Sequence, residues 1–78
     1  MLHVEFTVEP FIEGRPGPHV RAAITAVEGF GLSVDIGPFS SGFDVSPEQV
    51  GEVVGRLLSG AYSNGATHVS VQVEPVAR

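Results

Sequence analysis

The residues in this chain that are equipped for chemistry are few. His3, His19 and His68 stand far apart, with no H-x-H or H-E-x-x-H spacing, and the chain has no cysteine, so no motif for a metal site is encoded and a Cys-based zinc site is excluded. Ser40 and Ser41 adjoin on a turn. No histidine is near them in sequence and G-x-S-x-G is absent, so no nucleophile–base pair is encoded locally, and turn serines ordinarily bond to nearby backbone. Gly37-Pro38-Phe39-Ser40-Ser41-Gly42 lacks a P-loop lysine; the chain has no lysine at all. What remains is a mixed set of loop residues. Phe11 and Ile12 follow the first element, and Phe39, Ser40, Ser41, Gly42, Phe43 and Asp44 follow the second. Aromatic faces, small hydroxyls and one carboxylate suit a small planar ligand that stacks and hydrogen-bonds. Phe39 and Phe43 would equally serve to seal the end of a core.

The elements that must position these residues follow from periodicity. Leu2, Val4, Phe6 and Val8 alternate with His3, Glu5, Thr7 and Glu9, the pattern of a strand with one buried and one polar face, ended by Pro10. A loop over 10–17 precedes a helix that starts at Gly17-Pro18, carries Val20, Ala23, Ile24 and Val27 on one face, and stops at Gly29 and Gly31. Leu32, Val34 and Ile36 alternate as a second strand, and Phe43-Asp44-Val45 form a short third.

Ser46-Pro47-Glu48-Gln49 reads as the start of a second helix, with Ser46 capping and Gln49 reaching back. Val50, Val53, Val54, Leu57, Leu58 and Tyr62 are its apolar face, and Gly51 and Gly55, four apart, predict a flat strip against which another backbone packs. Asn64-Gly65 ends it, and Val69, Val71 and Val73 alternate with His68, Ser70, Gln72 and Glu74 in the last strand.

This order predicts an α+β class: a ferredoxin-like βαββαβ two-layer sandwich with an antiparallel four-stranded sheet, in one domain over residues 1–78. First and last strands become antiparallel neighbours, which keeps His3 and His68 apart. One sheet face, carrying His3, Glu5, Thr7, Glu9, Ser33, Asp35, His68, Ser70, Gln72 and Glu74, is left uncovered. The histidines are expected to be solvated or at an interface.

Composition bounds the partners. Seventy-eight residues bury a small core, so self-association is an expected aid. Four arginines against nine acidic residues give a net charge of −5, which excludes nucleic acid as a partner. No apolar run reaches the ~20 residues that span a bilayer, and the start MLHVEFTVEP lacks the features of a signal peptide, so a cytoplasmic location is expected.

The segment LSVDIGPFSSGFDV, then an amphipathic helix and GATHVSVQVEPV, with HVEFTVEPF at the start, resembles the YkoF-like thiamine-binding protein family over nearly the whole chain. The resemblance implies a ferredoxin-like fold, no enzymatic activity, no cofactor, and thiamine or its hydroxymethylpyrimidine half as ligand. Because relatives either repeat the domain or assemble single domains, it also implies a homodimer or homotetramer. Gly37 to Asp44 matches the family's ligand-adjacent segment; Ser40 and Ser41 fall where relatives carry small polar side chains and Asp44 where they can carry an acid. With Phe11 or Phe39 to stack on the ligand and Asp35 nearby, the candidate ligand-binding set is Phe11, Asp35, Gly37, Phe39, Ser40, Ser41 and Asp44. The alternative is a structural or regulatory oligomerisation module with no small-molecule ligand.

Overall fold

The computed structural model describes residues 1–10 and 17–76. Along the chain the elements are β1 (Leu2–Glu9), α1 (Pro18–Glu28), β2 (Asp35–Ile36), β3 (Ser41–Val45), α2 (Val50–Ser63) and β4 (His68–Pro75). The strands form one antiparallel sheet in the order β2-β3-β1-β4, and both helices cover one of its faces: the fold is the ferredoxin-like α+β sandwich. β1 is central, with Val4 opposite Phe43 on β3 and Val73 on β4.

Alternation places the core. Val4, Phe6 and Val8 from β1 and Phe43 and Val45 from β3 meet Ala23 and Val27 of α1 and Val53, Leu57 and Ala61 of α2. The rings of Phe6 and Phe43 meet edge to face at 6.0 Å between centroids. The spacing of Val53, Leu57 and Ala61 at every fourth residue defines the inward stripe of α2 more narrowly than its apolar residues do. Tyr62, expected in that stripe, is half exposed, because Ala61 one position earlier occupies the line facing α1 and the sheet.

Several local expectations are corrected. The second strand shrinks to Asp35–Ile36. Leu32 and Val34 are half-buried against the core, so their alternation records which side chains turn inward, not a backbone ladder. The third strand begins earlier, at Ser41. No capping box forms at α2: residues 46–49 make a turn in which the N–H groups of Gln49 and Val50 donate to the Ser46 carbonyl, and Gln49 itself takes the cap position without a side-chain hydrogen bond. Gly51 and Gly55 face open space. The close approach between helices is at Gly60, where an added Cβ would be 3.1 Å from the Ala22 carbonyl oxygen. The termination signals hold, with Asn64 as the C-cap of α2 and Gly65 at φ +100.

His19 departs from the solvated histidine the sequence suggested. It is buried at the start of α1, and its Nε2 donates to the Pro10 carbonyl at 2.6 Å. Gly17 makes room for the ring, since a Cβ there would be 2.6 Å from Cε1 of His19. The histidine therefore ties the end of β1 to the first turn of α1.

Candidate functional site

Among the described residues, the second face of the sheet carries no helix. Strand alternation puts His3, Glu5, Thr7 and Glu9 of β1 on it, and the ladder register sets their neighbours. His3 lies between Asp44 on β3 and Glu74 on β4. Glu5 lies between Gly42 and Gln72, and Asp35 on β2 stands across from Gly42. Thr7 faces Ser70, and Glu9 faces His68, whose Nδ1 is 3.7 Å from Oε2 of Glu9.

A continuous hydrogen-bonded chain links β3, β1 and the turn residue Ser40 that precedes β3. Nδ1 of His3 is 2.8 Å from Oδ1 of Asp44, and Nε2 of His3 is 2.9 Å from Oε1 of Glu5. The Ser40 hydroxyl donates to the other Glu5 oxygen, Oε2, at 2.9 Å. Carboxylate oxygens only accept, so a histidine between two of them makes both bonds only when each ring nitrogen carries a proton, and the arrangement favours the imidazolium form. The pKa of His3 is accordingly raised, chiefly by its bond to Glu5 and next by that to Asp44. The Glu5 pKa is lowered, first by His3 and then by the Ser40 hydroxyl.

The backbone is shaped to admit this chain. A Cβ at position 42 would be 2.9 Å from Oε1 of Glu5 and 3.0 Å from Cε1 of His3, so the two side chains lie over the bare α-carbon of a strand glycine. In the hairpin that brings Ser40 to Glu5, the Gly37 N–H donates to the Ser40 carbonyl at 2.9 Å. A Cβ at Gly37 would sit 2.8 Å from that oxygen, so Gly37 serves the tightness of the turn.

Beside the chain is an open hollow of about 400 Å³, lined by Glu5, Phe6, Thr7, Ser40, Ser70 and Gln72. Its rim offers one oriented carboxylate, hydroxyls and an amide. That inventory can hold a small polar ligand by hydrogen bonds to several of its edges.

The candidate residues from the sequence divide accordingly. Ser40 and Asp44 join the polar chain, and Asp35 shares its face. Ser41 does not join them: it is buried, with 7% of its surface exposed, and shares the helix-covered side with Phe43 and Val45. The period of two in β3 separates it from its neighbour Ser40. Phe39 is 79% exposed next to Ser40, whereas Phe43 is core. Phe11 lies outside the described residues. His3 and Glu5, the middle of the chain, and Thr7, Ser70 and Gln72 of the hollow were readable only as a polar sheet face. The signal that links them is the cross-strand register, which single-sequence patterning does not fix.

Among the described residues no group of three or more His, Asp or Glu side chains is disposed to hold a metal ion, and both ring nitrogens of His3 are occupied by carboxylates. No helix among them is long and apolar enough to cross a membrane.

No protein-family model and no curated protein matches the chain. Solved structures do. A domain of unknown function DUF77 from Bacillus cereus superposes with a TM-score of 0.68 at 20% identity, covering 99% of this chain and 75% of that one. Protein SP2199 from Streptococcus pneumoniae superposes with a TM-score of 0.59 at 17% identity, covering 99% of this chain and 87% of that one. The likeness establishes a shared ferredoxin-like fold.

Proposed function

We propose that this protein binds thiamine, or its hydroxymethylpyrimidine half, without catalysis, in the hollow on the open sheet face. The observation that carries the reading is the Glu5 carboxylate, held by His3 and Ser40 at the wall of a polar hollow. An aminopyrimidine presents an exocyclic amine to such a carboxylate, and Thr7, Ser70 and Gln72 supply further donors and acceptors. Phe39, exposed beside Ser40, offers a face for stacking. The surroundings suit the cationic thiazolium: Glu5, Glu9, Asp35, Asp44 and Glu74 share this face with two histidines, and neither arginine of the described residues, Arg21 on α1 nor Arg56 on α2, belongs to it.

The same geometry favours binding over catalysis. The Ser40 hydroxyl donates to a carboxylate of lowered pKa, which is a weak base, and His3 is engaged by acids on both sides instead of by the serine. Calorimetric titration of the folded protein with thiamine and with hydroxymethylpyrimidine tests the reading. Heat of binding for at least one is expected; none for either at about 1 mM ligand, a weak limit on the affinity scale, contradicts it.

One observation favours the second reading, an assembly module without a ligand. β4 is an eight-residue strand at the sheet edge whose inward-side Val73 is 46% exposed, so its outer backbone groups and apolar side chain are open to pairing with a second copy. Light scattering behind size exclusion tests it: a homodimer or homotetramer is expected, and a monomer at high protein concentration contradicts it.

A further inference from the structure

We infer that the open-face hollow selects a planar cationic N–C–N group (an amidinium, a guanidinium or a ring-protonated aminopyrimidine) and that Glu5 is the residue that sets this preference. The inference rests on the reading of this hollow as a small-molecule site and names the chemistry it would take.

The two oxygens of Glu5 carry this preference. Oε1 accepts from His3 and Oε2 from Ser40, one donor each, both at 2.9 Å. A carboxylate has about four acceptor positions, so one on each oxygen is left over, and the two existing bonds fix the plane of the group. Such a carboxylate matches two parallel N–H donors, whereas an ammonium, a point charge, gains little from the second oxygen.

Charge adds to shape. His3 lies between Glu5 and Asp44 and offsets one of the two, while Glu74 across from His3 and Asp35 across from Gly42 add further negative charge. Among the described residues no basic side chain lines the hollow. Anions are disfavoured there, and neutral ligands gain only part of the available interaction. Gly42 keeps the arrangement in place, since a side chain on it would displace Glu5 and His3 together.

Three probes of one shape separate the possibilities: benzamidine, benzylamine and benzamide, titrated into the full chain and followed by amide chemical shifts. Benzamidine should bind at least about tenfold more tightly than the other two, the advantage expected of a charge-assisted fork over a single contact. Glu5→Gln should lower its affinity about tenfold or more while the amide spectrum stays that of a folded protein. Glu52→Gln, which removes a charge on α2, outside the hollow and off the open sheet face, should change the affinity less than about threefold, a screened surface effect. Equal affinity for benzamidine and benzylamine, absence of benzamidine binding, or full binding by folded Glu5→Gln protein would overturn the inference. Thiamine binding that does not depend on Glu5 overturns it and leaves the thiamine reading standing. Benzamidine selectivity with no thiamine binding supports it and removes that reading.

Discussion

Glu5 and Gly42 face each other across the β1–β3 ladder, and the missing side chain of Gly42 is the space that the Glu5 carboxylate occupies: a Cβ would come within 2.9 Å of Oε1. A strand glycine ordinarily costs stability, so its presence here marks a close approach. Gly42→Ala should raise strand propensity yet push Glu5 and His3 apart. The expected result is a His3 pKa that falls back toward its ordinary value, read by NMR titration of the ring protons. An unchanged His3 titration in that variant contradicts this account of Gly42.

The His3–Glu5 pair has a defined pH window. The raised His3 pKa means that its contribution to stability is complete below the ordinary value of 6.5 and is lost as pH rises through the raised folded value. The lowered Glu5 pKa means that its contribution is complete above 4.5 and is lost as pH falls through the lowered value. Both are therefore in full force between pH 4.5 and 6.5. The stability difference between wild type and His3→Gln, from urea unfolding, should be greatest in that window and shrink on the alkaline side. Because the pair is half exposed, the difference is small, within the range of surface ion pairs. A difference that does not vary with pH contradicts the assignment.

The two helices meet at Gly60, and this separates the three glycines of α2. Gly60→Ala places a methyl 3.1 Å from the Ala22 carbonyl oxygen, a backbone atom with little room to move, and should lower the thermal midpoint. Gly55→Ala meets nothing within 4 Å and should raise stability by up to about 1 kcal/mol through helix propensity. Thermal melts of both variants check the pair; a Gly60→Ala protein more stable than Gly55→Ala contradicts the packing.

Leu57 is fully buried between α1, α2 and the sheet. Leu57→Ala should cost about 2–5 kcal/mol, a large share of the roughly 5–15 kcal/mol available to a domain. Urea unfolding reads it directly; a loss below about 1 kcal/mol would show that the site collapses around the cavity.

How far the sequence carried the fold is visible in β1. Its strict alternation assigns Val4, Phe6 and Val8 to the core and His3, Glu5 and Thr7 to the other face, and the structure agrees residue by residue. The helix stops at Gly29 and Asn64-Gly65 were equally legible, because they depend on local backbone chemistry. Gly51 and Gly55 misled for the opposite reason: their spacing says that they share a face, and only the packing of α1 on α2 says that this face is open and that Gly60 is the contact. The candidate site shows the same division. Ser40 and Asp44 were legible as polar residues beside a turn. Their partners, Glu5 and His3, are more than thirty residues away and are brought to them by the register of β1 on β3, so the adjacent Ser41 was grouped with Ser40 although it faces the core.

Amide chemical-shift mapping during a thiamine titration asks whether a thiamine-type ligand occupies the hollow beside Glu5. The account predicts saturable shifts concentrated at Glu5, Thr7, Ser40, Ser70 and Gln72, with α1 and α2 quiet, and their loss in Glu5→Gln protein. Shifts concentrated on the helices, or none at about 1 mM thiamine, would contradict it.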